Sequence, residues 1–295
     1  MLDVRKLRLL RELAHRQTIA AVAEAMNYTP SAVSQQLSGL EREAGVPLLE
    51  RTGRRVTLTP AALTLVDHTE TILATLERAA ADLTRATEQL AGTLRIGAFP
   101  SAVPTILTPA LITLTGQHPG LEVVVTELDP ATAPAALRTE AVDVALVQEY
   151  DHVPVPPDPA LDTDPLLAET IYLAALDDEP LPQHRDAPWI AGTPGTLCHA
   201  MTIRVCEAAG FTPRIRHHVD DFSAVLALVA AGRGVSLVPE LGARTPPGNV
   251  VLSPLPTRRH TRLAYRRGTR AHPIVSAARA ALHDCAASQF PQALP

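Results

Sequence analysis

Residues 18–59 constrain the fold more than any other stretch, because they join two short helical patterns through a polar turn and end in an arginine-rich hairpin. The second pattern starts after Thr29, which suits an N-cap, and at Pro30, whose missing N–H costs nothing at the first helical position. Its apolar residues recur on one face, a stripe made of Val33, Leu37, Leu40 and Ala44. The opposite face carries short hydroxyls and an amide, which suits hydrogen bonding to base edges in a DNA major groove.

A tight hairpin centred on Thr52-Gly53 follows this helix and carries three arginines. Such a compact positive tip suits phosphates or a narrow minor groove. Together these elements predict a winged helix-turn-helix, whereas the helical part alone would also fit a small helical hairpin with a solvated face. The predicted DNA contacts are Thr29, Pro30, Ser31, Ser34, Gln35 and Ser38 on the helix and Arg51, Arg54 and Arg55 on the wing.

The chain has a basic start and an acidic remainder. Residues 1–58 contain nine Lys/Arg and six Asp/Glu (+3), and the rest contains 17 and 25 (−8), which gives −5 in total. A basic first segment fits an electrostatic contact with DNA confined to one domain, although chance variation would also explain so small a surplus. The amino terminus lacks the apolar core of a signal peptide, and no run of about 18 apolar residues could span a bilayer. We therefore expect a cytoplasmic protein.

A third, long helix is predicted from Pro60, with Thr59 as its cap, to about Leu90. No core partner for it is evident in the first 90 residues, so we expect it to pair with a second copy of the chain and to hold two wings for a two-fold DNA site. Packing against the chain's own carboxy-terminal part is the alternative. The heptad positions of the seam are Val66, Leu73, Ala80 and Thr87 at a, and Thr69, Leu76, Leu83 and Leu90 at d.

From Leu94 onward, strands and helices alternate, which indicates parallel βαβ units. The first half predicts strands at 94–99, 121–127 and 142–147, with helices at 102–114 and 133–139. After a proline-rich loop, the second half predicts strands at 169–174, 215–219, 235–238 and 262–266, with helices at 197–208, 222–231 and 273–286.

The sequence resembles the LysR-type transcriptional regulators. The resemblance is carried by Ser31-Ala-Val-Ser-Gln-Gln-Leu37, by Leu40-Glu-Arg-Glu-Ala-Gly-Val-Pro-Leu-Leu-Glu-Arg51 and by Leu58-Thr-Pro-Ala-Ala62. It is close over about residues 2–90 and looser beyond. The chain departs from the family pattern at two places. It has Thr29-Pro30-Ser31-Ala32 where the family usually has Ser-Gln-Pro-Ala, and it has Gln35 where arginine is frequent. Both changes preserve the helix, but they leave open which DNA sequence the protein recognises.

The resemblance implies a ligand-responsive, homo-oligomeric regulator, a dimer or a tetramer, of multidomain α+β fold. The expected parts are a winged helix-turn-helix at 1–58, a linker and dimerisation helix at 59–91, and an effector-binding domain at 92–295. The last would consist of two α/β lobes resembling a periplasmic-binding-protein (type 2) fold, lobe I at about 92–162 and 267–295 and lobe II at about 163–266.

A ligand cleft is expected beyond the carboxyl ends of the strands, where helices begin. Ser101 and Thr196 would lie at helix amino termini, which favour a carboxylate or phosphate, so we predict a small, polar, anionic effector. Each hydroxyl would be explained equally well as a plain N-cap. Asp220 and Asp221 could instead repel an anion or select a cationic or hydroxylated ligand, although such a pair is more often a solvated helix cap. The predicted effector contacts are Ser101, Gln148, Thr196, Asp221 and Phe222.

Enzymatic and metal-dependent chemistry find no support in the sequence. The phosphate-loop, nucleophile-elbow and zincin motifs are absent, and Lys6, the single lysine, leaves no Schiff-base candidate in the lobes. His217 and His218 are adjacent on a predicted strand and point to opposite faces. We therefore expect no catalytic residue, no cofactor and no metal.

Cys198 and Cys206 leave a second hypothesis open. In one branch of the LysR family, peroxide sensors use a low-pKa cysteine near a helix start in this region, and Cys198 occupies such a position. Eight residues along one helix would separate the two cysteines by about 12 Å, so a disulfide would require the helix to melt. A thiol-based redox regulator is therefore one alternative, and a two-lobed solute-binding module with a helical appendage is another.

Overall fold

The computed structural model of the chain describes residues 1–52, 55–84 and 90–290, and of residues 51, 52 and 55 it describes the backbone alone. The chain forms two compact units, an amino-terminal unit of Met1–Leu83 with Arg267–Thr269, and a carboxy-terminal unit of Thr84–Arg266 with the residues from Arg270 onward. Within the described ranges, none of the helices combines the length and the apolar run needed to cross a bilayer.

Short-range capping defines the helices of the amino-terminal unit. The side chains of Asp3, Thr18 and Thr29 each accept a hydrogen bond from a backbone N–H of the following turn, which satisfies donors that the helix itself leaves unpaired. The same three helices end at residues in the left-handed conformation, the last at Gly45. The elements are α1 (Val4–Arg16), α2 (Ile19–Met26), α3 (Pro30–Ala44), β1 (Leu49–Thr52), β2 (Arg55–Leu58) and α4 (Pro60–Thr84).

The first half of α4 packs on the apolar core that α1, α2 and α3 form, through Ala62, Leu65, Val66 and Ile72. A buried ion-pair network supports this packing, because Arg11 of α1 lies 3.3 Å from Glu12 and 3.8 Å from Glu70 of α4. The expectation that the helix finds no partner within the first 90 residues is therefore wrong, and Val66 belongs to this core rather than to a free seam. Leu90 is not helical, and Thr87 lies outside the described residues.

The carboxy-terminal unit is built on a mixed sheet of strand order β4-β3-β5-β10-β6-β9, with a separate parallel pair β7-β8. β3 pairs in parallel with β4 and β5, whereas β10 pairs antiparallel with both β5 and β6. The strands are β3 (Gly92–Ala98), β4 (Leu121–Glu127), β5 (Val144–Tyr150), β6 (Leu161–Ala175), β7 (Pro188–Ala191), β8 (Arg214–His218), β9 (Ser236–Pro239) and β10 (Val251–Arg266). The helices are α5 (Thr108–Gln117), α6 (Ala133–Arg138), α7 (Leu197–Ala208), α8 (Phe222–Ala230) and α9 (Pro273–Gln289).

The long strands β6 and β10 run through two separate cores and so connect two lobes. Leu167 of β6 and Leu263 of β10 pack in the core with β3, α5 and α9, which we call lobe I. Further along β6, Ile171 and Leu173 pack instead with Trp189 and α7 in lobe II. The backbone register of β10 against β6 shifts between Pro254 and Arg258. The two lobes therefore meet along the middle of these strands, where Arg259 pairs with Glu169.

Candidate DNA-contact surface and effector cleft

Helix α3 presents the polar face that the sequence predicts. Thr29 caps it by accepting a hydrogen bond from the Ala32 N–H at 3.2 Å, and Pro30 is its first residue. Val33 and Leu37 are buried, whereas the side chains of Thr29, Pro30, Ser31 and Gln35 are exposed and those of Ser34 and Ser38 are half-buried.

The wing hairpin is tied to both neighbouring helices by specific hydrogen bonds. The Glu41 carboxylate at the end of α3 accepts from the N–H groups of Leu48 and Leu49 at 2.9 and 3.0 Å. On the other side, the Thr59 hydroxyl donates to the Pro47 carbonyl at 3.0 Å and accepts from the Ala62 N–H at 3.1 Å. β1 and β2 pair antiparallel. Gly53 and Arg54 lie outside the described residues, as do the side chains of Arg51 and Arg55.

Polar side chains from three neighbouring strands form the floor of a cleft in the carboxy-terminal unit. Because side chains directly opposite one another share a face, the backbone pairing places Glu169 of β6 and Tyr150 of β5 on either side of Arg259 in β10. In the next row on the same face, Thr261 of β10 lies opposite Gln148 of β5. Arg259 and Thr261 are each 1% exposed. A buried arginine on a central strand is rare unless it is paired.

Arg259 makes several polar contacts where the two lobes meet. Its Nε donates to Glu169 Oε1 at 2.6 Å, and its terminal nitrogen donates to the Ser101 hydroxyl at 3.2 Å. The guanidinium also covers the Phe99 ring, with its carbon 4.8 Å from the ring centre. The second oxygen of Glu169 accepts from the Leu241 N–H at 2.7 Å. Burial raises the pKa of the Glu169 carboxyl, while the Arg259 charge and these hydrogen bonds act in the opposite direction.

Tyr150 and Cys198 lie side by side at the same floor. The Tyr150 hydroxyl accepts from Gln148 Nε2 at 3.3 Å, and both Tyr150 and Cys198 line the cleft. Burial raises the pKa of Tyr150 well above its ordinary value. Burial also raises the pKa of the Cys198 thiol, which the Arg259 charge lowers to a smaller extent. Burial therefore disfavours the reactive thiolate form of Cys198.

The cleft above this floor has a volume of about 240 Å³, which suits a small molecule. Its walls follow the carboxyl ends of the parallel strands, at Phe99–Ser101 after β3, Glu127–Pro130 after β4, and Asp220 and Phe222 after β8. The first residues of α7, Thr196–Cys198, complete the wall on the side of lobe II.

Four of the five predicted effector contacts meet in this cleft, namely Ser101, Gln148, Thr196 and Phe222. Asp221 is not among the lining residues. It caps α8 by accepting from the Ala224 N–H at 2.8 Å and borders a neighbouring cavity of about 620 Å³. The charged residues that border that larger cavity, Asp221 and Arg244, are exposed, whereas Arg259 in the smaller cleft is buried.

The predicted role of the two hydroxyls at helix amino termini needs correction. Ser101 does not cap a helix, because a short π-helical turn begins at Val103 with Ala102 before it and no side-chain cap. Thr196 does cap α7, but its hydroxyl is engaged twice, donating to the Thr193 carbonyl at 2.9 Å and accepting from the His199 N–H at 3.2 Å.

The residues that sequence reasoning misses are Arg259, Glu169, Tyr150 and the end of β4. The sequence predicts that this strand starts at residue 262, whereas β10 begins at Val251. The first part of the strand was missed because its buried face carries Thr257, Arg259 and Thr261 instead of apolar residues. When polar residues alternate along a strand, the pattern predicts a solvent-exposed face, and only the neighbouring strands show that this face is buried.

Two family profiles cover nearly the whole chain. Residues 4–63 match the helix-turn-helix of bacterial regulatory proteins of the LysR family, and residues 87–287 match the LysR substrate binding domain. The chain belongs to the LysR family. It is a DNA-binding transcriptional regulator with an effector-binding domain, and its partners are operator DNA and a small-molecule effector.

Relatives within the LysR family include two regulators that match over most of the chain. The transcriptional dual regulator GltC of Bacillus subtilis is 29% identical over 249 residues, which cover 81% of each protein. The DNA-binding transcriptional dual regulator OxyR of Escherichia coli is 29% identical over 285 residues, 91% of this chain and 90% of that protein. Among solved structures, a cysteine mutant of OxyR from Corynebacterium glutamicum shares the fold, with a TM-score of 0.59 at 23% identity over 99% of this chain and 93% of that one.

Proposed function

We propose that this regulator reads its operator with the exposed face of α3 and with the wing, and that a small polar molecule in the cleft above Arg259 controls it. The proposed parts are residues 1–58 for DNA binding, 59–91 for the linker and 92–295 for effector binding. Because its main partner is operator DNA, we also place the protein in the cytoplasm.

The observation that carries the effector proposal is the chain of contacts beneath the cleft. Arg259 of the connecting strand β10 joins the Ser101 hydroxyl of lobe I to Glu169 of the connecting strand β6, and it lies opposite Tyr150, which packs in the core of lobe II. A molecule that competes for the Ser101 hydroxyl or covers Arg259 would act on both lobes at once. A ligand shifts such an equilibrium when it binds one arrangement of the lobes better than the other.

A thermal-shift screen of metabolites on the full chain, followed by operator binding with and without each hit, tests this proposal. Ser101→Ala and Gln148→Ala should weaken binding of a confirmed ligand, whereas Gln117→Ala, an exposed substitution on α5, should not. Thr196→Val is less informative, because loss of the α7 cap costs about 1 kcal/mol on its own. A ligand that binds Ser101→Ala and Gln148→Ala as tightly as the parent chain would place the effector site elsewhere.

Redox sensing through Cys198 is the second candidate, and one observation favours it, since this thiol lines the cleft. Against it stand the raised pKa of Cys198 and the position of Cys206, which is fully buried on the same continuous helix α7. Operator binding after peroxide treatment separates the two functions. A response that Cys198→Ser abolishes and the buried control Cys285→Ser retains would establish the redox function. The solute-binding alternative loses its basis, because residues 4–63 match the DNA-binding profile.

A further inference from the structure

The charge of the cleft points away from an anionic effector. Four charged side chains line it, three carboxylates from Glu127, Asp129 and Asp220 and the guanidinium of Arg259. Glu169, buried to the same extent as Arg259, neutralises that guanidinium at 2.6 Å. Among the described residues none of the three lining carboxylates has an ion-pair partner. Asp220 accepts two hydrogen bonds from Thr193, and Asp129 accepts one from the Ala131 N–H, so Glu127 and Asp129 are the more available carboxylates.

One of the two hydroxyl donors that an anion would need is already engaged. The Thr196 O–H donates to the Thr193 carbonyl, whereas the Ser101 hydroxyl accepts from Arg259 and its own O–H is not used in that contact. The partial positive charge at the start of α7 is about half an elementary charge, which is small beside three carboxylates. Asp220 lies close to that helix start as well, since Thr196 and Asp220 line the same wall.

Unpaired polar atoms at the floor give an independent indication of a hydrogen-bonding ligand. Gln148 Oε1 and the Thr261 hydroxyl have no hydrogen-bond partner among the described residues, although each of these atoms is buried. Buried polar groups in proteins are normally paired. Because Gln148 Nε2 donates to the Tyr150 hydroxyl, the free group of its amide is the oxygen, which accepts a hydrogen bond. Thr261 lies opposite Gln148 in the sheet, so the two side chains are on the same face.

We infer that the effector is a small molecule with a protonated amine, which hydrogen-bonds to the Gln148 carbonyl oxygen and is attracted by the carboxylates of Glu127 and Asp129. This inference rests on the proposed function, because it names the chemical class of the molecule in the same cleft. A cleft of about 240 Å³ accommodates a short aliphatic amine. The attraction between the amine and the rim carboxylates weakens with ionic strength, because exposed charges are screened by salt.

Two four-carbon probes of opposite charge, 1,4-diaminobutane and succinate, test the inference by thermal shift and calorimetry on the full chain. The diamine should stabilise the protein and succinate should not. Glu127→Gln and Asp129→Asn should each weaken diamine binding by about tenfold, which is about 1.4 kcal/mol. The control Glu122→Gln removes a carboxylate from the other end of the same strand and should leave diamine binding unchanged.

Succinate binding without diamine binding, equal diamine affinity in all three variants, or binding of neither probe would each overturn the amine class. The cleft itself is tested separately through Gln148→Ala. If succinate binds and Gln148→Ala abolishes that binding, the proposed effector function stands and the amine inference alone fails. If Gln148→Ala leaves the affinity of the bound probe unchanged, the cleft assignment fails as well.

Discussion

Nε of Arg259 lies 2.6 Å from Oε1 of Glu169, and each of these side chains is 1% exposed. The pair joins the two strands that connect the lobes, and it also bonds the Ser101 hydroxyl and the Leu241 N–H. Taking two charges out of water is costly, so such a pair contributes to specificity and geometry more than to net stability. Its position beneath the cleft makes it the central polar contact of the carboxy-terminal unit.

Glu169→Ala should lower the free energy of unfolding of the carboxy-terminal unit by about 3–5 kcal/mol, because it leaves Arg259 buried without its counter-ion. The double variant Glu169→Leu/Arg259→Met should lose less than Glu169→Ala alone. Urea unfolding monitored by circular dichroism measures both. Glu149→Ala is the matched control, since its pairing with Arg262 at 3.9 Å is partly exposed and such pairs contribute about 0–1 kcal/mol. Equal losses for Glu149→Ala and Glu169→Ala would contradict the assigned role.

Gln35→Ala should weaken binding to the preferred operator by about 1–3 kcal/mol and relax the choice of one base, because an exposed amide on α3 can bond a base edge with two groups. Competition binding against operators changed at single positions measures this effect. Gln117→Ala, an exposed glutamine of the other unit, should bind all of these operators like the parent chain. Unchanged binding of Gln35→Ala would show that α3 is not the recognition helix.

Arg54→Ala should weaken binding to all DNA sequences alike, because a phosphate contact carries no base information. The slope of log affinity against log salt should fall by about one unit. Titrations at several salt concentrations measure this slope, with exposed Arg216 replaced by alanine as the control. A sequence-dependent loss without a change in slope would indicate a base contact instead.

Leu76→Asp/Leu83→Asp should yield monomers that no longer bind a two-fold operator. Both leucines of α4 are exposed, by 47% and 77%, in the single chain, and truncated core leucines cost about 2–5 kcal/mol each. Analytical ultracentrifugation at micromolar concentration measures the assembly. Thr71→Asp/Thr75→Asp adds the same charges at exposed positions outside the predicted seam and should leave the oligomer intact. A Leu76→Asp/Leu83→Asp variant that remains dimeric would assign assembly to another surface.

Alkylation of Cys198 by iodoacetamide should be slow at pH 7 and should still accelerate above pH 9, because burial raises its pKa above the ordinary value of 9.0. The sign follows from the thiolate being the reactive form, so a raised pKa lowers the reactive fraction at neutral pH. Cys206, whose pKa burial raises to about 12, should remain unmodified in the folded protein. Mass spectrometry of tryptic peptides measures both. A Cys198 rate that is already maximal at pH 7 would support the redox function instead.

The sequence alone determined the features that depend on neighbours along the chain. The apolar stripe of α3, the caps at Thr29 and Thr59 and the hairpin of the wing all follow from residues within a few positions of one another, because periodicity and capping act over one or two helical turns. The strand ends at Ser101, Gln148 and Phe222 were likewise predictable, since parallel strands end at the same edge of a sheet.

Tertiary structure alone decided what these strand ends surround. Arg259 meets Glu169 across 90 residues and Ser101 across 158, because β10 lies between β5 and β6 in the sheet. Strand order depends on the packing of the whole unit. A local sequence pattern therefore cannot predict that a distant glutamate neutralises a buried arginine. Because Glu169 neutralises Arg259, the carboxylates of Glu127, Asp129 and Asp220 determine the charge of the cleft, and for this reason we infer a positively charged ligand instead of an anionic one.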